Sequence, residues 1–562
     1  MTREPEPLSR AFSSEPAPNL LQRRVYGTLG LSLLVGLYLL VGLLAHDPWR
    51  GDDARHLGPV LSMLNGEGWL IPRLAGEAWL EYPPLHYWLA SLGASLSSAV
   101  LPLHAGARLA SAFTVALTVF LTARSAEILY GRPARTPAAL LLLGALGLVL
   151  HAHETQPLLS LLAALAMSLY GFAQLPARPL AGSLTAGCAS TLAFLSAGLS
   201  GLLLTAPLFV LLMLISPDCR NPRASGALLL GLSLALALAC IWPLTLHLQA
   251  PELFQQWLQL EWARLSSGFA TSAQLQRGLE LFGWFTWPLW PLALWTVWRA
   301  RRRLADLRWL LPVLSILLVL AQWAFTDTRA QADALPLLPA LGLLAAAGVH
   351  SLRRGAANAF SWFSLLGLAV FGILVWLAWS AQALGWPSGL ARHVARNAPD
   401  FILPSPSLQA LLGGAISLAW IALLWRLPRS HSRAPANWTI GLTMLWCLAV
   451  VLLMPWFDNA RSYRAVAQSL SLAIEGERDA DSQLCVAGLD LPAHLRASLD
   501  YFAALRTRMV NQDGSPCGLL LLRKDSFSNA GLLPHWQPVW EYKRGAGRHS
   551  EHFVLLRREA AD

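Results

Sequence analysis

Long apolar runs, separated by short polar or arginine-bearing joints, occupy most of this 562-residue chain. Runs such as 25–45, 225–247, 307–325 and 438–455 are near the length an α-helix needs to cross hydrocarbon. A helix also satisfies its own backbone polar groups there, so the pattern predicts helical spans and not barrel strands. After residue 455 the pattern changes to alternating helix-like and strand-like stretches at 463–474, 484–488, 493–505, 519–523, 539–543 and 553–557. These predict a small α/β domain. The stretch 1–19, rich in Pro, Ser and Glu, has too few apolar residues to fold alone and is expected to be disordered.

Composition supports this reading. With 55% hydrophobic residues, 13% charged residues and a mean hydropathy of +0.47, the chain lacks the polar surface to cover a soluble globule of its size. The net charge of +10 does not imply nucleic acid, because the arginines fall in short clusters between apolar runs, as they do in cytoplasmic loops. Arg23 and Arg24 place the N-terminus inside. The clusters at Arg124, Arg132 and Arg135; Arg178; Arg220 and Arg223; Arg299 and Arg301 to Arg303; Arg353 and Arg354; and Arg426, Arg429 and Arg433 all land inside if residues 85–101 lie at the interface without crossing. About thirteen spans follow, with everything after Pro455 outside. The expected fold is thus an all-α polytopic membrane protein with a small C-terminal α/β extracytoplasmic domain. It divides into a cytoplasmic tail 1–24, a membrane domain 25–455 whose external loop 46–106 carries the chemistry, and the domain 456–562. The first apolar run is too long for a signal-peptide core and is expected to remain as an anchor. Cys188, Cys219, Cys240 and Cys447 lie in or beside spans as small apolar fillers, whereas Cys485 and Cys517 sit in the external domain, where a disulfide between them is left open.

Charges at membrane depth are costly, so ionisable residues at external span ends carry the functional information. They are Asp52, Asp53, Glu77, Glu81, Glu154, Glu261, Arg264, Asp327, Arg329 and Asp333. Asp52 precedes an amphipathic run, 56–64, that can lie along the interface as a helix. It is read either as a helix cap or as a general base for an acceptor hydroxyl. Arg55, Arg264 and Arg329 are candidate phosphate cations, since the planar guanidinium binds two oxygens at once. His151, His153 and Glu154 include metal-ligating types, but residues at i and i+2 face apart on a helix, so no metal ligand is assigned. No cofactor is firmly implied and divalent-metal dependence is left open. No G-x-x-x-x-G-K-[ST] stretch occurs, which counts against an ATP-driven pump.

These residues carry a resemblance. Gly51-Asp52-Asp53-Ala54-Arg55-His56, followed by NGEGWLIPRLAGEAWLEYPPLHYWL over 65–89, resembles the first external loop of the aminoarabinose transferase family, within the C-type superfamily of integral-membrane glycosyltransferases. There the loop reads D-E-x-R-Y, G-D-W-x-x-P and F-E-K-P-P-x-x-Y-W. Residues 107–111, 253–264, 284–298 and 334–340 are similar to later family stretches. The resemblance implies inverting sugar transfer from an undecaprenyl-phosphate donor to an envelope acceptor such as lipid A or another glycan or lipid, in the inner membrane with the site on the periplasmic face. It implies catalytic roles for Asp52, Glu81 and Glu154, a phosphate contact from Arg264, and a substrate-facing environment that includes Asp53, Tyr82 and Trp79. Three departures stand out: Tyr82 replaces the family lysine, Asp53 is shorter than the family glutamate, and the second-loop stretch 151–157 lacks the usual aspartate.

Two other functions fit the composition. A flippase or transporter for lipid-linked sugars needs the same basic groove without a positioned base, but would place charges mid-span, where these runs have almost none. A polysaccharide polymerase or ligase shares the donor chemistry and differs in its acceptor.

Overall fold

The computed structural model describes residues 27–266, 268–269, 271–325, 331–397, 401–426, 430, 432–478, 485–509, 517–523, 536–545 and 550–558. Arg329, Asp327, Arg429 and the tail 1–24 lie outside the described residues. Among those described, eight helices are long and apolar enough to cross a membrane: Leu103–Tyr130, Pro179–Leu203, Pro222–Gln249, Leu307–Phe325, Gln331–Val349, Arg354–Ala383, Pro406–Arg426 and Arg433–Arg461. Three shorter apolar helices, Leu29–Leu40, Pro157–Ala173 and Ala206–Ile215, stand where further spans were expected. The remaining two expected positions hold interrupted helices, Arg135–Leu143 with Leu146–His151, and Ser272–Phe285 with Leu289–Ala300.

Burial separates the centre of the bundle from its rim. The apolar window of Gln331–Val349 is 94% buried, whereas those of Arg354–Ala383 and Pro406–Arg426 are 17% buried and present leucines and tryptophans outward. The last span is tied to earlier ones by polar contacts that replace a lost hydrophobic driving force in lipid. Trp438 Nε1 donates to Gly144 O at 2.6 Å, Thr439 Oγ1 to Leu140 O at 2.6 Å, and Trp446 Nε1 to Val41 O at 2.7 Å.

Helix Leu85–Ser97 is the ambiguous segment of the charge argument. It is a helix of 13 residues that packs Ala90 and Ala94 against Ala107 and Ala110 of Leu103–Tyr130. Helix Asp52–Leu64 corrects an expectation. It does not lie open along the interface: Asp53, Ala54, His56 to Val60, Ser62 and Met63 are all buried. Its apolar face rests on Tyr87 and Ala90, and Gly58 lets it approach Leu74 and Ala497, where a Cβ would stand 3.0 and 3.2 Å from side-chain carbons.

A short antiparallel pair in the first loop gives β1 (Arg73–Leu74) and β2 (Glu77–Ala78), and the C-terminal region adds β3 (Val486–Leu489), β4 (Arg508–Met509), β5 (Leu519–Arg523), β6 (Trp536–Arg544) and β7 (Glu551–Arg558), ordered β4-β3-β5-β7-β6. The pairs β3/β4 and β3/β5 are parallel, β5/β7 and β6/β7 antiparallel. Helices Arg464–Arg478 and Ala493–Ala503 cover one face through Val466, Leu470, Leu495 and Leu499 against Leu519, Leu521 and Leu555. Cys485 and Cys517 form a disulfide beside the paired strands β3 and β5, closing a sequence separation of 32. Replacing both with serine is expected to lower the stability of this domain by about 2–4 kcal/mol, read as earlier loss of its signal in thermal melts of the full chain.

The domain is clamped onto the first loop. Asp47 accepts from Ser462 Oγ at 2.8 Å and pairs with Arg464; Glu77 pairs with Arg496 at 2.9 Å; Glu67 pairs with Arg506; and His104 meets Tyr501 OH at 2.8 Å.

Candidate active site

Gly51 starts the site. Its φ of +110° is open to glycine and strained for other residues, and it turns the chain so that Asp52 becomes the first residue of Asp52–Leu64. No side-chain cap bond forms at that terminus, so Asp52 does not serve as the cap. Its Oδ1 accepts from Arg55 Nη2 at 2.7 Å, one helical turn on, and its Oδ2 accepts from Gln156 Nε2 at 2.9 Å. Arg55 reaches across to Glu81 with Nη1 3.3 Å from Oε1. The side chains of Asp52, Arg55 and Glu81 are 27%, 27% and 29% exposed, enough for a ligand to reach them.

Beneath them the support is buried. His56 Nδ1 meets Tyr87 OH at 3.0 Å, its Nε2 lies 3.4 Å from Arg55 Nη2, and its ring stands edge-on to Tyr82. Burial, then the Arg55 charge, holds the His56 imidazole well below its ordinary range, so it braces the site as a neutral ring. Burial pushes the Glu81 carboxyl above its usual range, against the opposing pull of Arg55 and Arg264.

Arg264 comes from Pro251–Leu265, on the other side of Glu81. Its Nη2 donates to Glu81 O at 2.9 Å, its Nη1 pairs with Glu261 at 2.7 Å, and its guanidinium lies 5.9 Å from the centre of the Tyr82 ring. Glu261 is itself fully buried and accepts Leu199 N at 2.8 Å, an amide freed because Pro179–Leu203 breaks at Ala197 and Gly198. Gly198 sits at φ +64°, and a Cβ there would meet the Glu261 carboxylate at 2.6 Å. Glycine is thus required by both backbone and space.

The expected residues therefore part company. Asp52, Arg55, Glu81, Tyr82 and Arg264 come together. Asp53 does not face substrate: it is 2% exposed and pairs with Arg108, itself wholly buried, at 2.6 Å. It also accepts from Thr155 N at 2.7 Å and Trp49 N at 3.2 Å. Burial opposes this charge, but Arg108 holds the Asp53 carboxyl down to about 2. Arg108 further donates to the carbonyls of Leu43, His46 and Asp47, so the pair stitches the end of the first span, the loop and Leu103–Tyr130 together. Trp79 packs between helix Asp52–Leu64 and the Ala497 region of the C-terminal domain.

Glu154 pairs with His151 at 3.1 Å, and the residue of that loop that touches Asp52 is Gln156. Sequence reasoning missed Gln156 and Arg108. His153 turns away to Tyr38 O at 2.7 Å and stacks on Trp446. Among the described residues no three His, Cys, Asp or Glu side chains converge as metal ligands.

Residues 81–247 match the family model described as dolichyl-phosphate-mannose-protein mannosyltransferase. The chain is 27% identical over 245 residues to the undecaprenyl phosphate-alpha-4-amino-4-deoxy-L-arabinose arabinosyl transferase of Pseudomonas savastanoi pv. phaseolicola, covering 42% of this chain and 45% of that one. To the enzyme numbered 1 of that name from Pseudomonas fluorescens Pf0-1 it is 30% identical over 149 residues, covering 26% and 25%. The matched segments thus span less than half of those relatives' own length. The fold extends further: ArnT from Cupriavidus metallidurans, solved bound to undecaprenyl phosphate, superposes with a TM-score of 0.70 at 18% identity over 95% of this chain and 98% of that one. Its apo state gives 0.67 over 93% and 96%. The resemblance to the aminoarabinose transferase-like family is borne out, and the chain has that fold.

Proposed function

We propose that this multi-pass membrane protein is a glycosyltransferase of the aminoarabinose transferase-like kind. It takes a sugar from an undecaprenyl-phosphate donor and passes it to a lipid or glycan acceptor on the periplasmic face of the bacterial inner membrane. The observation that carries the reading is the chain of contacts from Asp52 through Arg55 to Glu81 and on to Arg264. The Asp52 carboxylate has both oxygens oriented, Arg55 bridges it to the Glu81 carboxylate, and Arg264 binds the Glu81 carbonyl beside the Tyr82 ring. The acceptor oxygen attacks the anomeric carbon while the bond from that carbon to the phosphate oxygen breaks. The acceptor proton passes to Asp52, and the phosphate leaves with the bonding electron pair toward Arg264 and Arg55. Attack from the face opposite the leaving group inverts the anomeric centre.

Tyr82, where the family carries lysine, gives no charge to that phosphate, so its neutralisation falls on the arginines. Removing Arg264 is therefore expected to be severe. Arg264→Ala should raise the apparent KM for the undecaprenyl-phosphate donor by about 10–100-fold, the worth of a charge-assisted hydrogen bond. The check is transfer from radiolabelled donor lipid in detergent; an unchanged donor KM would remove Arg264 from phosphate binding.

A further inference from the structure

We propose a second lipid site at the opposite end of the bundle from Asp52, one that takes an anionic phospholipid with its phosphate on an arginine cluster. Helix Leu103–Tyr130 rises from His104, next to the C-terminal domain, to Arg124 and Glu127 near its far end, a length of about 40 Å. At that far end one carboxylate is shared among three guanidinium groups. Glu127 lies 2.6 Å from Arg124, 3.9 Å from Arg132 and 3.8 Å from Arg135. The cluster keeps a surplus of two positive charges, and Arg132 is 95% exposed.

Below the cluster runs a groove of about 880 Å³ between helix Thr28–Leu40 and Leu103–Tyr130, walled by Leu31, Val35, Gly36, Ala116, Val119 and Ala123. Arg124, Arg132 and Arg135 stand at its mouth. A second, almost wholly apolar groove of about 310 Å³ flanks the other side of Thr28–Leu40, and the two share Leu31 and Thr136, next to Arg135. Volumes of this size hold a ligand. The combination of two apolar furrows meeting at a basic mouth is the shape of a headgroup phosphate with two acyl chains, and basic pockets between spans recognise anionic headgroups.

Charge selects this occupant over the chain's own N-terminal segment. Residues 1–24 carry Arg3, Arg10, Arg23 and Arg24 against Glu4, Glu6 and Glu15, so their side chains are net positive and offer the arginine cluster no net attraction. The site is separate from the chemistry: none of its residues touches Asp52, Glu81 or Arg264.

The test is native mass spectrometry of the full chain in detergent with equimolar phosphatidylglycerol and phosphatidylcholine. The wild type should retain phosphatidylglycerol about tenfold over phosphatidylcholine, and Arg132→Gln with Arg135→Gln should abolish that preference, each arginine contributing to headgroup attraction. Ala116→Phe, which fills the larger groove, should reduce retention of both lipids while leaving the lipid-free melting temperature in place. Equal retention of the two lipids by the wild type, or a preference that survives the double substitution, overturns the proposal. So does a preference that emerges only after residues 1–24 are removed, because the groove would then belong to that segment.

Discussion

Asp52→Asn should lower kcat by about 10²–10⁴-fold, the usual contribution of a positioned general base, while the donor KM and the melting temperature stay near wild type. Asparagine keeps one oxygen to accept from Arg55 or Gln156, gives up the other acceptor and the charge, and cannot take a proton, so an unchanged melting temperature beside a lost kcat assigns the effect to chemistry. The measurement is single-turnover transfer with saturating donor, which isolates the chemical step from binding. Activity within threefold of wild type would mean that the acceptor proton goes elsewhere, and Glu81, 3.3 Å from Arg55, would be the next carboxylate to examine.

The neighbouring aspartate should behave in the opposite way. Asp53→Asn leaves Arg108 buried with an uncompensated charge, a change worth about 3–5 kcal/mol. The expected result is a large drop in melting temperature with loss of folded protein, and residual molecules that retain donor affinity. Replacing both partners, Asp53→Leu with Arg108→Leu, should recover part of the loss because no lone charge remains. The pair also sets an acid limit. Since the folded-state carboxyl is depressed to about 2 from its ordinary 3.8, its stabilisation is complete above the unfolded value and is lost as pH falls through that window toward 2. A melting temperature in Asp53→Asn equal to wild type at pH 7 would show that the pair contributes nothing.

These two adjacent residues show what was legible in the sequence. The long apolar helices, the helix Leu85–Ser97 and the main strands of the C-terminal sheet could be read because hydrophobic periodicity and length are local signals. The meeting of Asp52, Glu81 and Arg264 came from the loop motif and its resemblance. Asp53 was assigned to substrate because nothing local distinguishes one loop carboxylate from the next. The missing signal was Arg108, a cation inside Leu103–Tyr130 that, unlike Arg124 near the other end, is wholly buried and demands a buried partner. Gln156, next to Pro157, accepts from Leu158 N as a helix start does, and its amide also orients Asp52, a contact that no local pattern announces. Helix Asp52–Leu64 was placed on the membrane surface because an amphipathic pattern is the same whether its apolar face meets lipid or protein. Only the distant Ala497 decides between them.

The clamp between Asp47 and Arg464 joins residues 417 positions apart. At ribosomal rates of 5–20 residues per second the first loop must wait about 20–80 s for the segment that fastens it. Until then Trp49 and Asp47 lack their partners at Asp458 and Ser462, and the backbone leading into Gly51 is held by Arg108 and Asp53. The loop that carries Asp52 is therefore fastened completely only after Asp458, Ser462 and Arg464 have been synthesised.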